Sequence, residues 1–66
     1  MTFNTPIQIL EEEVRFIKKD IDEKIYVLHN FNGLPNKFRN DLERSIMLLN
    51  MDKIQILEAI DILKSI

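Results

Sequence analysis

The feature that most constrains this chain is a stripe of apolar residues, spaced three and four apart, that precedes its only glycine, Gly33. Such spacing places side chains on one face of an α-helix, and here it continues for about six helical turns. The members of the stripe are Ile7, Leu10, Val14, Ile17, Ile21, Ile25 and Leu28. The pattern predicts one long amphipathic helix in the first half of the chain.

Local signals mark both ends of this helix. The run Thr5-Pro6-Ile7-Gln8 matches a capping box with proline at the first helical position, where its missing N–H is not needed. Gly33 suits the left-handed backbone that often follows a helix, and a proline two residues later prevents the helix from continuing. A connection this short makes the two flanking helices antiparallel neighbours.

The second half repeats the apolar spacing, interrupted once by Lys53. Its apolar positions are Phe38, Leu42, Ile46, Leu49, Ile56, Ile60 and Leu63. We therefore predict an all-α fold, an antiparallel, coiled-coil-like helical hairpin with helices over about residues 6–31 and 35–65. The chain forms a single helical domain, 1–66, because its length allows no more than one.

A break in the second helix is the alternative to a continuous one. Asp52, with Gln55 three residues later, has the form of another capping box, so a third helix could begin near 50–52. Neither glycine nor proline lies there, and the apolar stripe keeps its phase across the site. One long helix is therefore the favoured interpretation.

The position of the turn also predicts a register. If the hairpin pivots near Gly33, residue i lies beside residue 67 − i, which brings Met1 and Phe3 towards the end of the second helix. No like charges meet in this register. The opposite charges that it places side by side are Lys24 with Glu43, Glu23 with Arg44, and Arg15 with Asp52.

The composition limits the chemistry that this chain can perform. It has no cysteine and a single histidine, His29, so neither a disulfide nor a zinc site of Cys and His ligands is expected. The three consecutive glutamates at 11–13 point about 100° apart on a helix and do not converge on one ion. Ser45 and Ser65 have no histidine within reach. We expect no metal, no cofactor and no enzymatic activity.

Charge and hydropathy restrict the partners. The formal net charge is −2, and the two signs alternate without a basic stripe, so binding to nucleic acid is not favoured. No apolar run approaches the roughly 20 residues that span a bilayer. The first residues lack the cationic region of a secretory signal. A cytoplasmic protein that does not bind membranes is the default expectation.

One short run has a family resemblance. The segment His29-Asn30-Phe31-Asn32-Gly33 resembles the His-x-Leu-Lys-Gly run of histidine phosphotransfer domains, with Phe31 at the hydrophobic position. Asn32 stands where that family has lysine, and the segment falls at a helix end instead of mid-helix. The resemblance implies a phosphotransfer-like helical protein that uses His29. A histidine interacting with the dipole of its own helix is the alternative and simpler interpretation.

Apolar residues are more numerous than one buried face per helix requires. Those off the two stripes are Ile9, Phe16, Val27, Met47, Leu48, Met51, Ile54 and Ile62. Small domains commonly gain stability by association, and Met and aromatic residues are enriched in interfaces. We therefore predict a protein interface, with a bent or three-helix fold that buries these residues internally as the alternative. The residues predicted to form the interface are Phe16, Val27, Leu48, Met51 and Ile54.

These observations favour a small non-catalytic protein-protein interaction module. We expect a self-associating regulator or adaptor, a homodimer or larger helical bundle, that binds a larger protein through apolar helix faces. The alternative is a nucleic-acid-associated regulator that uses Lys37, Arg39 and Arg44, although Asp41 and Glu43 lie between these cations.

Overall fold

The computed structural model describes residues 5–66 as two helices joined by a short connection. Helix α1 spans Pro6–Asn30 and helix α2 spans Asn36–Lys64, and the two pack against each other. The predicted all-α hairpin is confirmed, with each helix end within about one residue of its expected position. Helix α2 continues through residues 50–52, so the structure does not show the third helix of the alternative.

The start of α1 is stabilised by reciprocal hydrogen bonds at its first turn. The backbone N–H of Gln8 donates to Thr5 Oγ1 at 3.2 Å, and the backbone N–H of Thr5 donates to Gln8 Oε1 at 3.0 Å. Pro6 occupies the first helical position. The predicted capping box is confirmed, and it satisfies two donors that would otherwise lack partners within the helix.

The end of α1 comes one residue earlier than predicted. Phe31 is extended, with φ −109° and ψ 102°, while its N–H still donates to the carbonyl oxygen of Val27 at 3.2 Å. Gly33 has φ +87°, the left-handed conformation expected of it. Pro35 is again extended, with φ −55° and ψ 144°, immediately before α2 begins. The chain therefore leaves the helix along an extended path before it turns.

The core is small and lies mainly on α1. Val14, Ile17, Ile21 and Ile60 are the buried side chains, at 4–7% exposure, and the inward orientation predicted for the first stripe is confirmed at its centre. The remaining inward positions that are half-buried are Ile7, Leu10, Leu28, Leu42, Ile46, Leu49, Ile56 and Leu63. The prediction is wrong for Phe38 of the second stripe, which is 51% exposed, and for Ile25 of the first stripe, which is 38% exposed.

The register differs from the one predicted. Glu11, Val14, Arg15 and Lys18 line a groove with Leu57, Ile60, Asp61 and Lys64. Residues 11–18 therefore lie beside residues 57–64, whereas the 67 − i rule would place them beside 49–56. The offset is about two helical turns.

The extended connection explains this offset. Because residues 31 and 35 are extended, the chain travels past the end of α1 before α2 starts, and residues 35–41 are all exposed. None of the three predicted interhelical ion pairs forms among the described residues. Lys24, for example, bonds instead to Asp20 on its own helix. The predicted position of Met1 and Phe3 lies outside the described residues.

Candidate interaction surface

Helix α2 has a second apolar stripe on its outer side, here called the outer seam. Met47, Met51 and Ile54 follow one another at intervals of four and three residues, as the inward stripe does. Met51 precedes the buried Ile60 by nine residues, about two and a half turns, so the two side chains point in opposite directions. The side chains of the outer seam, all 51–62% exposed, are Met47, Leu48, Met51, Ile54 and Ile62.

Charged residues stand at the two ends of this seam. Arg44 lies three residues before Met47, which places it one turn away on the same side of α2. Glu58 lies four residues after Ile54, and Asp61, one turn later, lies at the border between this seam and the groove that faces α1. All three charged side chains are exposed. The seam therefore has a basic end, an apolar middle and an acidic end.

The structure divides the five predicted interface residues between two surfaces. Leu48, Met51 and Ile54 belong to the outer seam of α2 and are all exposed. Phe16 is 62% exposed on the outer side of α1, and Val27 is half-buried on the same helix. Because the two helices face each other, their outer sides point away from each other. A single patch containing all five residues is therefore not formed within one hairpin.

The outer side of α1 is mainly polar. Ile9 and Phe16 are exposed there, seven residues apart, about two helical turns. Glu12, Glu13 and Glu23 occupy neighbouring outward positions. Isolated apolar side chains on such a face are normal for a protein surface. The outer seam of α2 is therefore the more continuous of the two apolar surfaces.

Aromatic side chains near the connection were not predicted to be exposed. Tyr26, Phe31 and Phe38 are 62%, 53% and 51% exposed, and they flank the end of the hairpin where α2 extends past α1. No sequence signal identifies them as a group. The exposure of Phe31 and Phe38 depends on the length of the connection, whereas Tyr26 lies off the apolar stripe of α1 and is turned outwards by helical spacing.

The cations of the nucleic-acid alternative do not converge. Lys37 and Arg44 are seven residues apart and share a side of α2, whereas Arg39 points roughly 200° away from Lys37. All three are exposed. Their arrangement provides no concentrated positive surface for phosphate groups.

His29 lies in the last turn of α1, exposed, just before the turn that contains Gly33. The run that resembles a phosphotransfer site is therefore split between a helix end and the connection, and its backbone is not helical after Asn30. A histidine in this position can interact favourably with the carbonyl end of its helix.

Within residues 5–66, no three His, Asp or Glu side chains lie close enough together to hold a metal ion. Buried side-chain nitrogen or oxygen atoms without a hydrogen-bond partner are also absent from this part of the chain. Neither described helix has a stretch long and apolar enough to cross a lipid bilayer.

The fold defines the class of this protein as an all-α helical hairpin. Comparison with known proteins assigns it to no narrower group, since no family model, curated protein or solved structure matches the chain.

Proposed function

We propose that this protein is an interaction module that binds another protein through the outer seam of α2. The observation that carries the proposal is the pair of apolar stripes on one helix, one turned towards α1 and one turned away. A helix that is apolar on two opposite sides is characteristic of one that is covered on both. The hairpin covers only one of them, so the second is available for a partner.

The apolar area of the seam is sufficient for weak binding by itself. Complete burial of such a side chain contributes about 1.5–3 kcal/mol, so a side chain that is half exposed can contribute about 1 kcal/mol more. The five seam residues together supply about 5 kcal/mol on this basis. Association costs at least about 4 kcal/mol in lost translational and rotational freedom. Tight binding therefore requires the charged ends as well as the apolar middle.

A regulator or adaptor is the role that we propose for this module. A chain of 66 residues with one outer seam can act by covering a matching helical surface on a larger protein. The nucleic-acid and phosphotransfer alternatives lack a comparable basis, because the cations do not converge and the histidine run is interrupted after Asn30.

Site-specific photo-crosslinking in cells that express the protein tests this function. A benzophenone amino acid replaces Met51, in the centre of the seam, or Phe16, a position on the outer side of α1 that is at least as exposed. We expect discrete covalent adducts from position 51 and none, or only diffuse ones, from position 16. Adducts are identified by mass spectrometry, which also detects a second copy of the chain.

A second substitution tests whether the adducts depend on the seam. Ile54→Glu introduces a charge into the apolar middle at an exposed position, so the hairpin itself should remain folded by circular dichroism. We expect this change to remove the adducts formed from position 51. Identical adducts with and without Ile54→Glu, or no adducts from position 51 at all, would contradict the proposed function.

A further inference from the structure

Building on the proposed function, we infer that the outer seam of α2 binds the outer seam of a second copy, with the two α2 helices antiparallel. The two copies are related by a twofold axis that passes between Met51 and Ile54. The assembly then contains four helices, with the two α2 helices at its centre and α1 of each copy on the outside.

The charges at the ends of the seam support this partner and this orientation. An antiparallel pair about that axis brings Arg44 of each copy beside Glu58 and Asp61 of the other, and the twofold symmetry forms this contact twice. A parallel pair would instead place Arg44 beside its own equivalent, and Glu58 beside its own. Opposite charges at the margins of helix pairs set orientation in this way.

The apolar middle of the seam also matches itself in this arrangement. The axis passes between residues 52 and 53, so the residue numbers of two facing residues add up to 105. Met51 of each copy therefore lies level with Ile54 of the other. Met47 comes level with Glu58, whose methylene groups can cover it while its carboxylate reaches Arg44. The adaptable thioether side chains suit an interface that repeats around a twofold axis.

One margin of the pair includes charges of the same sign. Glu43 lies near the level of Asp61 in the second copy, and their carboxylates repel. Lys64 lies one turn beyond Asp61 and offsets part of this repulsion. Glu58 lies one turn nearer the axis than Asp61, so its contact with Arg44 is less screened by salt than this repulsive contact.

Sedimentation equilibrium of charge-reversed chains tests the pairing. We expect the native chain to form dimers as its concentration rises, while Arg44→Glu alone and Glu58→Lys alone each remain monomeric. Mixing the two variants should restore dimers, because the unchanged Arg44 and Glu58 then face each other at one end of the seam and the two reversed charges face each other at the other end. Arg39→Glu, an exposed charge reversal on the same helix but away from the seam, should leave the native dimer unchanged.

Spin labels test the orientation, and the absence of cysteine allows a single label to be placed cleanly. A label on Asn40→Cys lies 12.5 residues from the proposed axis, so two labels in an antiparallel dimer are roughly 38 Å apart at 1.5 Å per residue. A parallel pair of helices would hold them within about 20 Å, given an interhelical distance of 8–10 Å. The distance is measured by double electron–electron resonance.

Two outcomes contradict this inference, and the adducts from position 51 then show whether the proposed function also fails. A native chain that stays monomeric at every concentration, or a dimer with the short label distance, contradicts the antiparallel pair. If adducts from position 51 then contain a different protein, the interaction module remains and only the second copy is excluded. If position 51 forms no adduct, both proposals fail.

Discussion

Single residues determine where the first helix begins and ends. Thr5 and Gln8 exchange hydrogen bonds at its start, and Gly33 adopts a positive φ in the connection that follows. Both features are short-range, because each depends on residues no more than a few positions apart. They can therefore be predicted from the sequence, because the side chains of Thr5 and Gln8 can form the capping hydrogen bonds and glycine tolerates a positive φ.

Replacement of Gly33 tests the importance of its backbone conformation. A Cβ added at Gly33 would meet no atom within 4 Å, so Gly33→Ala introduces only the local penalty of φ +87°. We expect the free energy of unfolding to fall by about 1 kcal/mol, measured by chemical denaturation. Gly33→Asn should cost less, because asparagine tolerates the left-handed region better than alanine does. An alanine variant as stable as the native chain would show that the connection can relax to another conformation.

At the level of whole elements, the two helices differ in kind. Helix α1 has one apolar side and a mainly polar outer side, whereas α2 is apolar on both. The apolar residues off the main stripe could be recognised in the sequence, but their number alone does not show whether a bend in α2 would bury them. The continuous helix leaves Met47, Met51 and Ile54 exposed, which is the feature that defines the candidate site.

Proline substitution at Lys53 distinguishes a continuous α2 from one that restarts at Asp52. In a continuous helix, Lys53→Pro removes a backbone hydrogen bond and should cost about 3 kcal/mol or more in unfolding free energy. If a helix began after Asp52, proline would occupy its first position and be tolerated. Denaturant titration measures the difference. Lys53→Ala controls for loss of the half-buried side chain, and Asn36→Pro, at the true start of α2, should be nearly neutral.

At the level of the whole molecule, the register depends on the path of the connection. The sequence predicts that Gly33 allows a turn, but the extended conformations of Phe31 and Pro35 decide how far the chain travels before α2 starts. Either register buries the same kinds of apolar side chains, since both stripes consist of similar aliphatic residues. The offset of about two turns therefore has no clear signature in spacing or composition, and it leaves Phe38 exposed.

Chemical cross-linking tests the register directly. Glu11→Cys combined with Lys64→Cys places two thiols on one groove of the hairpin, and we expect a short bis-maleimide to join them rapidly within one chain. Arg15→Cys combined with Asp52→Cys corresponds to the register predicted from a pivot at Gly33 and should react slowly. The products are measured by mass spectrometry at dilution low enough to suppress links between chains. Faster reaction of the second pair would contradict the register described here.

The candidate site could be located only in part from the sequence. Leu48, Met51 and Ile54 were predicted as interface residues, and the structure leaves them exposed on one side of α2. Phe16 and Val27 were assigned to the same interface, yet they lie on the other helix. Helical spacing shows which residues share a face of one helix. It does not show how the outer faces of two helices are oriented, because that depends on their packing.

The thinness of the hairpin has a consequence for any chemistry it takes part in. With one layer of two helices, no described side chain falls below 2% exposure, so the hairpin encloses none of them completely. Reactions that need a dry environment require walls on all sides, and this chain supplies only one. A side chain or ligand on this hairpin can therefore be shielded from water only when a second molecule packs against it from the other side.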